Sequence, residues 1–423
     1  MRGLLLAAGL ALVLGLLPPA AAAPPGQPEQ IVLGAPTSLT TLEGSESLKA
    51  VRLAVAEINR AGGVRLGRRH LKMRVEACDL ADSLPGTSST QALARLRAFL
   101  RHKKPHALVI GPFRSEVLLE AMDLLAEFKM PTLVIIAMSP AVSAKVLKDR
   151  KYRYIFRVGL STRYLVEYLV AGMKLVAQRF GFSRVFIMNQ DVAWARSTAS
   201  LMLKLYFTRA GWQVLGQRNY PVGARDFRPD LQRAREQGAQ VILTIFDMPS
   251  SGELVKQWYD MKVPALISGF ISPMSGPRAW QASQGRIAGT LSVVFELGNI
   301  PSRRYPPASR FYQAYQQRYG GPIQSGHGPA PAYEAVYILA QAIQRAGSLE
   351  PEALVRALEQ TDRQGVMGRI RFHQGHQVIF GRDPQQEALA CVVQWTKQGK
   401  RKIVFPRAIA EGQVVLPTFV KEK

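Results

Sequence analysis

The sequence predicts an α/β protein built from two doubly wound parallel-sheet lobes, and three observations carry this prediction. Segments with strand and helix patterns alternate along the chain, the strand segments are near-continuous apolar runs, and the whole pattern starts again after Arg157. Continuous rather than alternating apolar strands are typical of a parallel sheet that helices cover on both faces. A chain of 423 residues also exceeds what one hydrophobic core usually supports, so two domains are expected.

The first unit alternates four strands with three helices. The first helix carries Leu48, Val51 and Ile58 on one face and ends at Gly62-Gly63, as glycine commonly ends helices. The predicted strands are 31–35, 71–77, 107–111 and 132–137, and the other two helices are 88–101 and 117–128.

The second unit repeats this alternation and is followed by further helices and a β-rich tail. Its predicted helices are 165–180, 198–210 and 251–261, and its predicted strands are 184–188, 240–246, 265–268 and 291–295. Two more helices are expected at 308–319 and 332–346, followed by strand-like segments between 368 and 405.

The start of the chain has the pattern of a secretory signal peptide over residues 1–23. Arg2 precedes an apolar run over 4–17, and small residues at 20–23 follow two prolines. A basic start, a short apolar region and an A-x-A site are the marks of a cleaved export signal. The run is shorter than the roughly 20 residues that cross a bilayer. We therefore expect a soluble exported protein that is cleaved near Ala23.

The chain is strongly basic, with a formal net charge of +25. Basic clusters occur at 65–74, 95–104, 148–157 and 397–402. Such charge favours attraction to an anionic membrane surface, an acidic partner or an anionic ligand; a solvated basic surface without such a role is the other interpretation. No nucleic-acid partner is expected, because the chain has no zinc-finger spacing or RNA-binding signature.

Signatures of catalysis and of cofactor binding are missing from the sequence. It has no G-x-G-x-x-G after the first strand, no phosphate-binding loop and no G-x-S-x-G nucleophile. The pair His373 and His376 lies in a hairpin-like stretch and is a weak metal signal, and Cys78 and Cys391 lack metal-ligand spacing. We expect a protein that is not an enzyme and has no metal or cofactor. One bridge between the two cysteines stays open as a possibility.

Two turns that follow predicted strands have the chemistry of a carboxylate site. Ser115 follows the third strand and opens a helix, and Ser139 to Ser143 follow the fourth strand. In an open parallel sheet, ligands bind beyond the carboxyl ends of the strands, where helix amides are unpaired. Hydroxyl groups and free amides at a helix start suit a carboxylate. Simple helix capping is the alternative role of each serine.

The order and spacing of several short motifs resemble the leucine/isoleucine/valine-type (type I) periplasmic substrate-binding proteins of ABC transporters, over essentially the whole mature length. The motifs are Glu57-Ile58-Asn59-Arg60-Ala61-Gly62-Gly63-Val64, Asp79, Ile110-Gly111 with Ser115, Ser139-Pro140-Ala141-Val142-Ser143, Tyr154-Ile155-Phe156-Arg157, Pro331-Ala332-Tyr333-Glu334-Ala335-Val336 and Gly368-Arg369-Ile370-Arg371-Phe372.

The resemblance implies two discontinuous lobes joined by three crossovers, near Arg157, Ala288 and Gly365. The implied boundaries are 24–157 plus 289–364 for the first lobe and 158–288 plus 365–423 for the second. Ligand would bind in the cleft, and the lobes would close on it by a hinge movement.

Carried over residue by residue, the family's site falls on both lobes. In the first lobe, the resemblance places Ser115, Ala141 and Ser143 on the carboxylate clamp and Leu42 and Glu43 on the wall after the first strand. Tyr333 is a further candidate at the rim, with a role as a core aromatic as the alternative.

In the second lobe the sequence departs from the family pattern. Trp194 stands nearest to the family's aromatic position, where it would stack on the ligand or simply pack. The family's ammonium-binding acid falls near Gly269 and Phe270, where this chain has no carboxylate. Asp247 and Glu43 are the available substitutes. Burying an ammonium without a charged partner costs several kcal/mol, so either one of these acids serves or the ligand has no ammonium.

The resemblance implies a periplasmic protein that captures a small carboxylate-bearing ligand, an amino acid or a related organic acid, and delivers it to the permease of an ABC importer. A second hypothesis keeps the fold but replaces uptake with sensing, in which the protein acts on a membrane receptor or a redox system. An enzyme on this scaffold is the third.

Overall fold

The computed structural model describes residues 29–84 and 86–422. The predicted signal peptide, residues 1–23, lies outside these ranges. Within them, no helix has both the length and the apolarity needed to cross a membrane.

The first sheet has six strands in the order β2-β3-β1-β4-β5-β6. Its strands are β1 (Gln30–Thr37), β2 (Val64–Leu66), β3 (Arg69–Asp79), β4 (Ala107–Ile110), β5 (Thr132–Val134) and β6 (Ile155–Arg157). All neighbours pair in parallel except the short edge strand β2, which runs antiparallel to β3. The central strands β1, β4 and β5 are almost entirely buried, as expected of a sheet covered on both faces.

The second sheet has seven strands in the order β15-β14-β11-β10-β9-β7-β8. Its strands are β7 (Arg184–Gln190), β8 (Gln213–Tyr220), β9 (Val241–Phe246), β10 (Leu266–Ile271), β11 (Leu291–Val294), β14 (Cys391–Trp395) and β15 (Arg401–Phe405). The five strands from β7 to β11 pair in parallel, whereas β14 and β15 extend the sheet as an antiparallel edge. The predicted two-lobed α/β fold is confirmed, with an antiparallel edge added to each sheet.

Helices cover both sheets. They are α1 (Leu42–Arg60), α2 (Ser89–Lys103), α3 (Ser115–Glu127), α4 (Ala141–Lys148), α5 (Thr162–Phe180), α6 (Ala193–Met202), α7 (Arg228–Glu236), α8 (Gly252–Asp260), α9 (Arg278–Ala282), α10 (Pro306–Tyr319), α11 (Pro329–Ala346) and α12 (Pro351–Glu359). Although α10 to α12 follow the second sheet in the chain, α11 packs along α1 and against β4 of the first sheet. The first lobe is therefore discontinuous in sequence.

Three chain segments connect the lobes and lie side by side. The first follows β6, the second follows β11, and the third joins the hairpin β12 (Asp362–Gly365) and β13 (Gly368–Arg371) to β14. The Gln377 side chain donates to the Gly159 carbonyl (3.0 Å), and the Leu160 amide donates to Glu296 (3.1 Å). These bonds tie the second and third segments to the first.

The lobe boundaries inferred from the sequence remain a proposal, which the pairing of β11 refines. Leu291–Val294 pairs within the second sheet, beyond the crossover expected near Ala288. We propose that the second crossover begins after Val294.

The two cysteines lie in different lobes and are not bridged. Cys78 is in β3 of the first sheet, Cys391 is in β14 of the second, and both are free thiols. The histidine pair is also structural in this fold: His376 stacks on Phe156 at a centroid distance of 4.0 Å, and the His373 ring accepts from the Gly375 amide (2.9 Å).

Candidate functional site

A cavity of about 370 Å³ lies between the two lobes, where the carboxyl ends of the parallel strands of both sheets face each other. Its lining residues come from turns and helix starts after β1, β3, β4 and β5 on one side and after β7, β9 and β11 on the other, with Phe270 from β10. They are Glu43, Asp82, Thr87, Ser89, Phe113, Arg114, Ser115, Glu116, Val117, Ile136, Met138, Asp191, Val192, Ala193, Trp194, Arg196, Asp247, Phe270, Phe295 and His327.

Ser115 joins two turns of the first lobe at this cavity. Its hydroxyl oxygen accepts from the backbone amides of Met138 and Ser139, each at 3.1 Å. The hydroxyl proton is left to donate elsewhere. Ser115 also opens α3, and the amides of a helix's first turn have no intrahelical acceptor. One proton donor and a set of free amides thus meet at the cavity wall, which is the chemistry that an anionic group requires.

Asp82 fixes the turn that precedes α3. Its two carboxylate oxygens accept from the Ser38 hydroxyl and from the Arg114 backbone amide, each at 2.8 Å. Burial raises the pKa of Asp82, against the opposing effect of these hydrogen bonds. The Asp82 carboxylate binds the backbone amide of Arg114 and not its guanidinium. The guanidinium extends across the cleft to the second lobe.

Arg114 and Asp247 form a direct ion pair between the lobes. The Arg114 Nη1 atom lies 2.9 Å from Asp247 Oδ2, and Trp194 Nε1 donates to the same oxygen at 2.9 Å. Both charged side chains are only partly exposed, at 21% and 14%. The other carboxylate oxygen, Oδ1, has no partner among the residues that the structure describes, and it is available to a cation in the cavity.

Glu43, from the start of α1, lies in a more deeply buried part of the cavity wall and is 6% exposed. Its carboxylate accepts from the Ser272 hydroxyl of the second lobe. Burial raises the pKa of Glu43, and the neighbouring charge of Asp247 acts in the same direction, while Ser272 and His327 oppose it. This carboxyl therefore favours the neutral form more than an exposed glutamate does.

His327 and Glu296 form a buried pair beneath Glu43. The His327 ring contacts Glu296 Oε1 at 2.8 Å and the Ile136 carbonyl at 2.9 Å. Burial alone lowers the pKa of His327, but Glu296, the Ile136 carbonyl and Glu43 outweigh it and raise the pKa above its usual range. The pair links the second crossover to the strand-end turns of the first lobe.

Aromatic rings form the apolar part of the wall. Phe270 and Phe295 pack with ring centroids 4.2 Å apart, and Trp194 meets Phe270 edge-on at 6.2 Å. Phe113 contributes a further ring from the first lobe. The cavity thus combines a few charged and polar groups with aromatic walls, a common arrangement for small-molecule sites.

The structure brings five of the nine residues predicted for the site into one cavity: Glu43, Ser115, Trp194, Asp247 and Phe270. Leu42, Ala141, Ser143 and Tyr333 do not line it. Among the described residues, no cluster of histidine, cysteine or acidic side chains suits a metal ion.

The placement of these four residues corrects the expected clamp and rim. Ser143 accepts from Nη2 of the fully buried Arg157 (3.1 Å), whose charge needs polar partners at the hinge. Ala141 begins α4 and is exposed to solvent. Leu42 begins α1 beside the cavity, and the Tyr333 hydroxyl turns away to Glu57 in the first lobe.

Eight polar residues of the cavity were not predicted as site residues: Asp82, Thr87, Ser89, Arg114, Glu116, Asp191, Arg196 and His327. Arg114 stands next to Ser115, in the turn that the sequence indicated as a carboxylate site, so its position was the available signal. Asp191 lies three residues after the predicted strand at 184–188 and directly after the observed strand β7, which is a similar signal. His327 comes from the start of α11, far away in sequence, and no local pattern marks it.

A two-lobed α/β protein with a mixed polar and aromatic cavity between its lobes is, by this architecture, a protein that binds a small molecule. The family described as Periplasmic binding protein matches residues 32–400, and the chain belongs to that family. Proteins of this family bind their substrates and are not enzymes, which confirms the expected absence of catalysis.

Curated relatives are similar over most of the chain. The Leu/Ile/Val-binding protein homolog 8 of Brucella abortus (strain 2308) is 24% identical over 380 residues, which is 87% of this chain and 88% of the relative. Homolog 7 of Brucella melitensis is 22% identical over 384 residues, 89% of this chain and 90% of the relative. The suspected resemblance to the Leu/Ile/Val-binding proteins is confirmed.

Solved structures share the fold at low identity. A putative branched-chain amino acid ABC transporter protein from Silicibacter pomeroyi superimposes with a TM-score of 0.78 at 16% identity, covering 92% of this chain and all of that one. The substrate-binding protein LivJ of Streptococcus pneumoniae, in complex with isoleucine, gives 0.73 at 18% identity, covering 89% and 100%. These likenesses confirm the type I periplasmic binding fold.

Proposed function

We propose that this substrate-binding protein captures an α-amino acid with an apolar side chain and delivers it to an ABC importer. The observation that carries the proposal is that Asp247, whose Oδ1 atom has no hydrogen-bond partner among the described residues, lines the same aromatic-walled cavity as the start of α3. An anion site, a cation site and an apolar surface are the three features that such a ligand needs.

The ligand carboxylate is assigned to the start of α3. The Ser115 hydroxyl donates one hydrogen bond, and the amides of the first helical turn supply further donors with the helix dipole behind them. Glu116 and Val117 line the same side of the cavity. The clamp is narrower than the sequence predicted, because Ser143 is engaged by Arg157.

The ligand ammonium is assigned to Asp247. Of the two substitute acids, Glu43 is fully buried with a raised pKa and is already bonded to Ser272. Asp247 has an unused oxygen and is held in place by Trp194 and Arg114. A charge-assisted hydrogen bond to an ammonium is stronger than a neutral one, so Asp247 is the better partner.

The apolar side chain is assigned to the surface of Trp194, Phe270 and Phe295. A cavity of about 370 Å³ has the size of a small amino-acid ligand rather than of a peptide. Related proteins are named for binding leucine, isoleucine and valine, and one structure of a Desulfitobacterium hafniense relative is in complex with Leu.

Two observations support delivery to a permease and a location in the periplasm. The signal-peptide pattern over 1–23 and the family description both favour an exported protein. The names of structurally similar proteins associate those proteins with ABC transporters.

Calorimetric titration with L-leucine and 4-methyl-2-oxopentanoate tests the proposal directly, because the two molecules differ only in the ammonium group. We expect L-leucine to bind and the oxo acid to bind at least tenfold more weakly. In a thermal-shift format, a ligand at 100 times its Kd adds about 2.7 kcal/mol of stability. Equal binding of both acids would remove the assignment of Asp247, and binding of neither an amino acid nor an organic acid would overturn the proposed function.

The carboxylate assignment has a matched pair of serine variants. Ser115→Ala removes the donor at the cavity and is expected to weaken amino-acid binding about tenfold, since hydrogen bonds to charged groups contribute about 1.5–3 kcal/mol. Ser143→Ala changes the other predicted clamp serine, which does not line the cavity, and should leave the affinity within about twofold. The assignment fails if Ser143→Ala has the larger effect.

A further inference from the structure

A second concavity, of about 980 Å³, lies between the chain segment that leads into α10 and the β14–β15 hairpin. We call it the basic groove. It shares no lining residue with the ligand cavity. One side belongs to residues 300–313, ending on a helix that contacts α1 of the first lobe, and the other to the edge of the second sheet. The groove therefore spans both lobes.

Five cationic side chains line the basic groove: Arg303, Arg304, Lys400, Arg401 and Lys402. Glu411 is the one acidic residue among its described lining residues. Glu411 accepts from the Arg303 backbone amide at 3.3 Å. This bond does not involve the guanidinium of Arg303, so Glu411 is not its counterion. No ion pair of the five cations occurs in the part of the chain that the structure describes, whereas some other arginines, such as Arg218 and Arg286, have a carboxylate partner.

Arg401 is the deepest of the five cations. Its guanidinium donates to the Ser275 carbonyl at 2.6 Å and to the Tyr312 hydroxyl at 3.2 Å, so it bridges the lobes through neutral partners. Burial lowers the pKa of Arg401. The hydrogen-bonded Tyr312 and the charge of Glu46 raise this pKa, but they only partly offset the effect of burial. A buried charge without an ionic partner is costly, and an anion in the basic groove would reduce that cost.

The shape of the basic groove favours one kind of anion. The cations come from both sides of a concavity of about 980 Å³, a volume that suits a chain of negative charges better than a single small anion. A flat membrane surface meets convex rather than concave protein surfaces. We infer that the basic groove binds an extended acidic segment of a protein partner, with carboxylates facing Arg303 and Arg304 on one side and Lys400 to Lys402 on the other.

The test is fluorescence polarisation of a labelled ten-residue polyglutamate peptide with the full mature protein. Arg304→Glu combined with Lys400→Glu reverses one exposed charge on each side of the groove. We expect the peptide to bind the unmodified protein and to bind this variant at least about tenfold more weakly, since each reversal replaces an attraction by a repulsion. Binding should also weaken as salt increases.

Lys148→Glu combined with Lys204→Glu is the matched control. Both lysines are exposed and lie outside the groove, and the change in net charge is the same. We expect this control to bind the peptide within about twofold of the unmodified protein. Melting temperatures of both variants establish that they are folded.

Each alternative outcome is decisive. Equal weakening in both variants would show general attraction to a basic protein and would overturn the inference, as would no binding of the peptide. The same holds if tripolyphosphate or vesicles with anionic lipid bind at the basic groove while the peptide does not. Because the two sites share no residue, failure here leaves the titration of the ligand cavity with amino acids unaffected.

Discussion

The two ends of the ligand cavity hold acidic groups in different ways. We call the surroundings of Glu43 and Glu296 the buried end. Glu296, which lies behind the cavity wall, is fully buried and accepts from backbone amides and a histidine ring, and Glu43, 6% exposed, accepts from the Ser272 hydroxyl. At the open end, Asp247 is held by two side chains, Arg114 and Trp194, and keeps one oxygen free. Glu296 is satisfied within the protein and burial disfavours the charged form of Glu43, whereas Asp247 can accept a ligand.

This difference separates structural roles from binding roles. Replacing a group at the buried end leaves several enclosed donors without a partner, which destabilises the fold. Replacing a group at the open end removes a ligand contact while water can still reach its neighbours. Variants at the buried end should therefore change mainly stability, and variants at the open end mainly affinity.

Glu296→Ala is expected to have the largest effect. Its carboxylate accepts from the amides of Leu160 (3.1 Å) and Gly328 (3.1 Å), from Asn299 (2.9 Å) and from His327 (2.8 Å). Removal of one partner from a buried charged pair typically costs about 3–5 kcal/mol, and we expect a loss in this range in urea unfolding. Asp191→Ala is the control, because the Asp191–Arg196 pair is half exposed and such pairs contribute about 0–1 kcal/mol. Similar losses in both variants would contradict the distinction between the two ends.

Asp247→Asn is expected to reduce amino-acid affinity more than any other change at the open end. The variant keeps the shape of the side chain but removes its charge, so Arg114 repels the ligand ammonium without a counterion. A charged hydrogen bond contributes about 1.5–3 kcal/mol, which corresponds to a Kd raised about 10- to 150-fold. The measurement is calorimetric titration with L-leucine, with Glu43→Gln as the comparison. If Glu43→Gln weakens binding more, the ammonium site lies at the buried end.

Trp194→Phe should have a smaller effect on affinity. The phenyl ring retains most of the apolar surface but cannot donate to Asp247 Oδ2, a bond of 2.9 Å in the native protein. Without this bond Asp247 is held less firmly, and we expect the ligand contact to lose at most about 1 kcal/mol, which is about fivefold weaker binding in the same titration. An effect as large as that of Asp247→Asn would mean that the ligand needs the full indole ring rather than a smaller apolar surface at this position.

The sequence revealed the fold wherever burial produced an apolar run. Strands such as β9, fully buried, were recognised because both faces are covered. The edge strand β8 and the polar helix α7 were not recognised, because most of their residues are exposed and carry polar side chains. Their structure depends on pairing with β7 and packing on α8, which are contacts between distant segments.

Site residues that directly follow a strand could be predicted from the sequence. Site residues that reach the cavity through contacts between distant segments could not. Ser115 and Asp247 each follow a strand directly, so the topology of a parallel sheet indicates their position. The binding role of Ser143 stays a prediction: its hydroxyl accepts from Arg157, also at a strand end, and it does not line the cavity. His327 reaches the cavity only because α11 returns to the first lobe after the second crossover.

The smallest expected effect is the change with pH in the stability of Glu43→Gln relative to the unmodified protein. It reports most directly on the charge of the buried end. Burial raises the pKa of Glu43 in the folded protein, with Asp247 adding to the rise and with Ser272 and His327 opposing it. In the unfolded chain the same carboxyl ionises near its ordinary pKa of about 4.5. Between these two values the folded state holds more protons than the unfolded state, so the free energy of unfolding falls as the pH rises.

Glutamine cannot ionise, so Glu43→Gln lacks this loss. We expect the stability of the variant relative to the unmodified protein to increase from pH 4.5 to pH 7, as measured by urea unfolding at both values. The acids Glu46 and Asp82 also have raised pKa values, but they are present in both proteins and cancel in the difference. A difference that does not change with pH would mean that the Glu43 carboxyl titrates in the folded protein as it does in the unfolded chain and is ionised at pH 7. The buried end would then hold a full negative charge, and Glu43 would compete with Asp247 for the ligand ammonium.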